Sequence, residues 1–348
     1  MITGMDRLRA AAQGSPCDRI PVFCNLLDQG AREMGVSLRD YYNSADLVAE
    51  AQLRMRARYG YDNVWSLFYV GKEAELLGCR DILYAEDGPP NVADFIIKDP
   101  ADIHRLRVPD DLFGHPQFAP VRRCIELLRA EIGGRVPICA YITASMALPA
   151  LLMGMEKWME LLLLGPTDLR DELLAKCSEF CAKEIAAYRA AGADVLVYSN
   201  PFGSTDIVSR RMFDELSLPW MRRDLKTGGV ADMVYYCGGA RMNRVIDGVI
   251  RALDFRSFYL SPLEDVAEGV RQVAGRGLVC GIIDDIKLVR WSEEEIRAEV
   301  ARIVNAGKTG GRFLFGTLLM PLALPERTVR TMLEAAFEYG RLEAGAAP

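Results

Sequence analysis

The sequence predicts a (β/α)8 TIM barrel with an excursion after the second strand, and three observations carry that prediction. Short β-branched and aromatic runs alternate strictly with stretches of helical period. The strand runs number eight, which closes a parallel ring. A length of 348 residues suits one such barrel. An open doubly wound sheet is the competing arrangement for the same alternation.

The elements follow in order. Thr3, with Asp6 three residues on, reads as the cap of a first helix running to Ala12. Strand runs are expected at 19–24, 62–67, 136–142, 194–198, 233–236, 255–260, 278–282 and 312–316. Ser44 caps a helix that runs to about Arg58, and 116–132 forms another. The stretch 168–190 is long and amphipathic, with Leu169, Leu173, Leu174, Cys177, Phe180 and Cys181 on one stripe. That stripe assigns Cys177 and Cys181 to the core rather than to a metal. Further helices are expected at 210–228, 241–251, 263–273, 293–305 (capped by Ser292 with Glu295) and 326–339. The stretch 70–108 breaks the alternation. It is rich in Gly, Pro and Asp, holds extended pieces near 82–84 and 95–97, and reads as an excursion carrying a hairpin. The chain 1–348 is otherwise read as a single domain, with a tail after Leu342 expected to fray.

Composition narrows the function. Half of the residues are hydrophobic and 26% charged, so the core needs no disulfides. A net charge of −6 without a basic stripe argues against nucleic-acid binding. The longest apolar run, 159–165, is interrupted by Glu160 and falls far short of a membrane span. No secretory leader is recognisable, and nine cysteines without pattern suit a reducing compartment. The expectation is a soluble cytoplasmic protein.

In parallel barrels the chemistry gathers at the carboxyl ends of the strands. Those ends here carry hydroxyls, amides and thiols with few charges, and no glycine-rich phosphate cradle. The segment Val234-Tyr235-Tyr236-Cys237-Gly238-Gly239 delivers a thiol to a Gly-Gly turn, which makes Cys237 the leading catalytic candidate. Tyr236, Tyr259 and Asp284 are the candidate proton donors or acceptors. Asn25, Ser66, Tyr141 and Thr143 are expected to bind substrate, with Asn200, Arg241 and Thr317 further round the ring. Trp65 and Phe68 are among the aromatics available to line an apolar pocket. Neither His104 nor His115 stands at a strand exit.

A family resemblance runs along nearly the whole chain. Its stretches are Asp18-Arg19-Ile20-Pro21-Val22, Glu73-Ala74-Glu75-Leu76-Leu77-Gly78 and Met153-Gly154-Met155-Glu156. Ala191-Gly192-Ala193-Asp194, Tyr236-Cys237-Gly238, Gly281 to Asp284 and Phe315-Gly316-Thr317 continue it. With these the chain resembles the uroporphyrinogen decarboxylase superfamily, on the branch that holds methylcobamide-dependent methyltransferases. The resemblance implies the same barrel, a homodimer, and one of two chemistries.

For the decarboxylases it implies an arginine-rich loop gripping substrate carboxylates, an aspartate after the second strand, and a late histidine-glycine pair. Here Gln29-Gly30-Ala31-Arg32 keeps one arginine, Trp65-Ser66-Leu67 has no aspartate, and Phe315-Gly316-Thr317 replaces the pair. A tetra-acidic porphyrinogen needs several cations, which this mouth lacks. For the thiol-methylating branch it implies zinc on a His-x-Cys at strand six and a cysteine near the last strand. This chain has Tyr235, Cys237 and Thr317 there. A zinc on Cys237 with Cys280, Glu75 or Asp284 stays open beside a site without metal. With two histidines and no corrinoid-binding motif, a corrinoid would have to arrive on a partner protein. The resulting expectation is methyl transfer between a small methylated substrate (a methoxy-aromatic or a methylamine) and a corrinoid protein or tetrahydrofolate. The alternatives are decarboxylation of a small carboxylic acid and a non-catalytic homologue that binds a ligand or corrinoid protein. On this reading Cys237→Ala abolishes activity.

Overall fold

The computed structural model describes residues 2–226 and 228–342; the tail beyond Leu342, expected to fray, lies outside them. Seven parallel strands curl around one axis: β1 (Val64–Trp65), β4 (Ile138–Thr143), β5 (Val195–Ser199), β6 (Met233–Tyr236), β7 (Ser257–Tyr259), β8 (Leu278–Ile282) and β9 (Phe313–Gly316). Each pairs with its neighbour in sequence, in the order β1-β4-β5-β6-β7-β8-β9. Helices cover the outside, so the strands are buried on both faces. Between β1 and β4 the chain leaves the ring through a helix at Lys72–Leu76, an antiparallel pair β2 (Ile82–Leu83) and β3 (Asn91–Val92), and a helix at Pro100–Arg105.

The eighth segment, expected as a strand at 19–24, joins β9 to β1 without forming a regular ladder. On its β9 side, the Phe23 N–H donates to the Phe315 carbonyl (2.8 Å) and Phe315 N–H to Pro21 (3.1 Å). On its other side, Asp62 N–H donates to the Val22 carbonyl (2.8 Å). There the remaining partners are side chains: the Asp62 carboxylate accepts from Val22 N–H (2.8 Å), and the Asn63 amide oxygen from Cys24 N–H (2.8 Å). Arg7 (3.0 Å) and Arg19 (2.5 Å) hold Asp62 in place. Because Asp62 and Asn63 serve the first segment, the second strand shrinks from the expected 62–67 to Val64–Trp65.

Several helix starts follow their capping residues. Thr3 with Asp6 and Ser292 with Glu295 form reciprocal capping boxes, and Ser44 accepts from Leu47 N–H. The helix expected at 210–228 is interrupted instead. It runs Arg210–Met212, widens into a π turn at Phe213–Ser217, and resumes at Leu218–Asp224. Pro219 has no N–H, and its ring would meet the carbonyl four residues back, so the preceding turn takes the wider path.

The pleat decides what reaches the ring's interior. Trp65, Tyr141, Val197, Tyr236 and Tyr259 face inward. Their neighbours Tyr198 and Tyr235 point outward, packing on Phe255 with ring centroids 5.9 and 5.3 Å away. Among the described residues no helix is long and apolar enough to cross a membrane.

Candidate active site

A cavity of about 190 Å³ opens at the carboxyl ends of the strands. Tyr141, Tyr236 and Tyr259 project into it from the ends of β4, β6 and β7. Tyr236 stands edge-on to both others, with centroids 6.5 Å from Tyr141 and 5.7 Å from Tyr259. Phe68 packs on Tyr141 at 4.6 Å, and Trp65 adds a further aromatic wall. Asn25 and Thr317 supply the polar edge, joined by an Asn25 N–H donated to Thr317 Oγ1 (2.9 Å). Among the described residues no lysine or arginine side chain lines the cavity.

Leu318 and Leu319 form the rim. Their loop is pinned from the first segment: Met320 N–H donates to the Asn25 carbonyl (3.0 Å), and Gln29 Nε2 to the carbonyls of Met320 (2.9 Å) and Pro321 (2.8 Å). Arg32 donates to the carbonyls of Leu322 (3.1 Å) and Leu324 (3.0 Å). The one arginine kept from the carboxylate-gripping loop is therefore committed to backbone.

The tyrosine hydroxyls differ in what they hold. Tyr259 donates to the Thr317 carbonyl at 2.5 Å, which ties its ring to the rim loop. The Tyr236 hydroxyl has no hydrogen-bond partner among the described residues and lies beside Gly239. Burial pushes all three phenols above their ordinary range, so they remain protonated donors at neutral pH. Asp285 adds to the Tyr236 shift through its charge, and burial raises its own carboxyl.

The other sequence candidates sit elsewhere. Cys237 is fully buried, its sulfur 3.6 Å from the Gly203 carbonyl and absent from the cavity wall. Tyr236 faces in, so the next residue faces away. The same alternation turns Ser66 away from the cavity beside Trp65. Asn200 is buried, with neither amide atom partnered. Asp284 caps the helix Asp285–Leu288 through Lys287 N–H (3.0 Å) and pairs with Lys287 Nζ (3.1 Å). Arg241 is exposed on the surface, 3.7 Å from Asp206. Thr143 donates its hydroxyl (2.7 Å) and N–H (3.1 Å) to one oxygen of Glu73, a fully buried acid that burial raises to about 7.

The model of the uroporphyrinogen decarboxylase (URO-D) family matches residues 3–339. The chain belongs to that family. It is 23% identical over 307 residues to methylcobamide:CoM methyltransferase MtaA of Methanosarcina barkeri, covering 86% of this chain and 88% of that one. It is 25% identical over 354 residues to the uroporphyrinogen decarboxylase of Xanthomonas axonopodis pv. citri, covering 95% and 97%. Among solved structures, a methyltransferase from Methanosarcina mazei superposes with a TM-score of 0.81 at 20% identity, covering 97% of this chain and 99% of that one. This URO-D family chain thus has both methyltransferases and decarboxylases among its relatives, and the barrel is theirs.

The zinc implied by the methyltransferase branch does not fit these residues. Tyr235 donates its hydroxyl to the Gly203 carbonyl (2.9 Å), the same oxygen that faces the Cys237 sulfur. A Cβ at Gly203 would overlap the Tyr235 hydroxyl, and one at Gly238 (φ +61°) would lie 2.6 Å from Pro201 Cγ. The turn after β5 is therefore packed closely onto both residues. Burial pushes the Cys237 thiol up, away from the thiolate that a metal requires. Of the alternative donors, Glu75 is held by Lys72 (2.7 Å) and Tyr69 (2.5 Å), and Asp284 by its helix. Among the described residues no three His, Cys, Asp or Glu side chains converge. Cys237→Ser is accordingly expected to lower stability by about 1 kcal/mol with turnover unchanged, checked by thermal melting and initial rates. Loss of turnover in a folded variant would return the thiol to the chemistry.

Proposed function

We propose that this URO-D family protein transfers a methyl group from a small methoxylated aromatic compound to a corrinoid held by a partner protein or to a folate. The observation that carries the proposal is the Tyr236 hydroxyl, which has no protein acceptor among the described residues and stands in a box of aromatic rings that no described lysine or arginine lines. A single methoxylated ring matches the cavity in size and polarity. When the O–CH3 bond breaks, the methyl group passes to the acceptor's nucleophile and the bonding pair stays on the aryl oxygen. Tyr236 donates a proton to that oxygen and regains one from solvent. Asn25 and Thr317 orient the polar edge of the ring, while Leu318 and Leu319 exclude water from the aromatic side.

A decarboxylase acting on a carboxylated ligand is less well supported, because Arg32 serves loop carbonyls and Arg241 lies outside the cavity. Incubation with 2-methoxyphenol and either tetrahydrofolate or reduced free cobalamin is expected to yield catechol. Carbon dioxide from 2-methoxybenzoate, with no demethylated product from either compound, would favour the decarboxylase. Consumption of trimethylamine instead would move the substrate to the methylamines.

A further inference from the structure

The barrel has a second internal space, beneath the candidate active site. A cavity of about 200 Å³ lies toward the amino ends of the strands, against Leu8 and Ala12 of the first helix (Gly4–Gln13). Barrel interiors are normally filled by layers of bulky branched side chains. Here Cys139, Ser257 and Cys280 stand at this level beside Val195 and Val234, so the volume stays open. A void of this size is destabilising when nothing occupies it. Away from its charged rim the wall is largely apolar and offers few of the two to four polar partners that an ordered water needs.

We propose that this floor cavity is a second binding site, for an uncharged single-ring aromatic or similarly compact apolar molecule. An apolar protein cavity of about 150 Å³ is large enough to hold benzene, and this one exceeds it. Phe23 supplies a flat wall, and Leu314 closes one side. The charged groups lie at the rim, where Arg9 is exposed. Asp194 is paired with Arg129 (2.6 Å) and Asp232 with Arg189 (2.5 Å), so a cationic ligand would have to disrupt an existing pair. Entry runs beside the first helix, which is tied down at its end by Arg312 donating to the carbonyls of Ala12 and Gln13.

The floor site is not simply the lower part of the candidate active site. Trp65, Val197 and Tyr259 are walls of both spaces and stand between them. Tyr259 is anchored by its bond to the Thr317 carbonyl, which holds this partition in place. Val195 and Leu278 border only the lower space, and Leu319 only the upper. The two sites can therefore be filled independently.

Fluorobenzene, followed by its 19F signal and by thermal melting, is the probe. Wild type and Leu319→Trp, which crowds the upper cavity, are both expected to show saturable binding that raises the melting temperature. Val195→Phe, which fills the lower cavity, is expected to weaken it at least tenfold. Leu278→Phe serves the same purpose should Val195→Phe fail to fold. Binding that survives in a folded lower-cavity variant but vanishes in Leu319→Trp would overturn the proposal, as would the absence of saturable binding in wild type. None of these readouts depends on methyl transfer, so failure of the functional proposal leaves this one standing.

Discussion

Tyr236→Phe is expected to slow methyl transfer by about 10²–10⁴-fold, the range of a positioned general acid, while substrate binding changes little. Removing the hydroxyl leaves the ring, and with it the edge contacts to Tyr141 and Tyr259 that shape the cavity. The hydroxyl makes no hydrogen bond to the protein among the described residues, so its loss orphans no buried partner. Tyr259→Phe is a useful contrast, because that hydroxyl holds the Thr317 carbonyl and its removal loosens the loop that carries Leu318 and Leu319. The two variants should separate in steady-state kinetics, with Tyr236→Phe affecting kcat and Tyr259→Phe affecting KM as well.

Leaving-group dependence gives the sharper measurement. An aryl ether carrying a nitro group departs as a stable phenoxide and needs little proton donation. The rate deficit of Tyr236→Phe should shrink with such a substrate and be largest with an unactivated methoxyphenol. An equal deficit across the series would mean that Tyr236 positions the ring and transfers no proton.

The barrel was legible because its alternation depends on local patterning. Caps such as Thr3, Ser44 and Ser292 stand where the chain says they should. The segment at 19–24 reads as a strand although half of its ladder is made by the side chains of Asp62 and Asn63, a long-range exchange that no local pattern encodes. At the site, the carboxyl-end rule brought Asn25, Tyr141, Tyr236, Tyr259 and Thr317 to one cavity. It also placed Tyr236 and Cys237 at the same mouth, although consecutive strand residues face opposite ways. That signal was present in the sequence. The capping role of Asp284 was also readable, since aspartate before a short helix commonly bonds its first turn. The commitment of Arg32 to loop carbonyls was not, because its partners lie some 290 residues away in the chain.

Raising the pH from 5.5 to 8 is expected to destabilise the protein, and Glu73→Gln to remove much of that loss. Glu73 is fully buried behind Thr143, with one oxygen unpartnered, and burial lifts its carboxyl from 4.5 to about 7. Glu184, on the helix Thr167–Ala191, is a second buried acid with an unpartnered oxygen, raised by burial and by the charge of Glu73. Asp224 is raised to about 6, chiefly by burial, although it accepts from Tyr198 (2.6 Å) and Ser145 N–H (3.0 Å). A carboxyl that holds its proton more tightly when folded gives its full stability below the unfolded pKa and loses it as pH rises through the folded one. For Glu73 that window runs from about 4.5 to about 7, and the part crossed between pH 5.5 and 8 is a loss on the order of 2 kcal/mol at about 1.4 kcal/mol per pH unit. For a chain of this length it corresponds to about 3 °C in melting temperature. Glutamine keeps the oxygen that Thr143 needs but carries no charge, so the variant should melt above wild type at pH 8 by a wider margin than at pH 5.5. Calorimetry at both pH values decides the matter, and parallel profiles would remove Glu73 from the explanation. The position of the pair also links stability to the site. Tyr141 stands two residues before Thr143 on β4, and the Glu73 charge pushes its phenol further up. Ionising this acid therefore stiffens the tyrosine box against losing a proton at the same pH at which it weakens the barrel behind it.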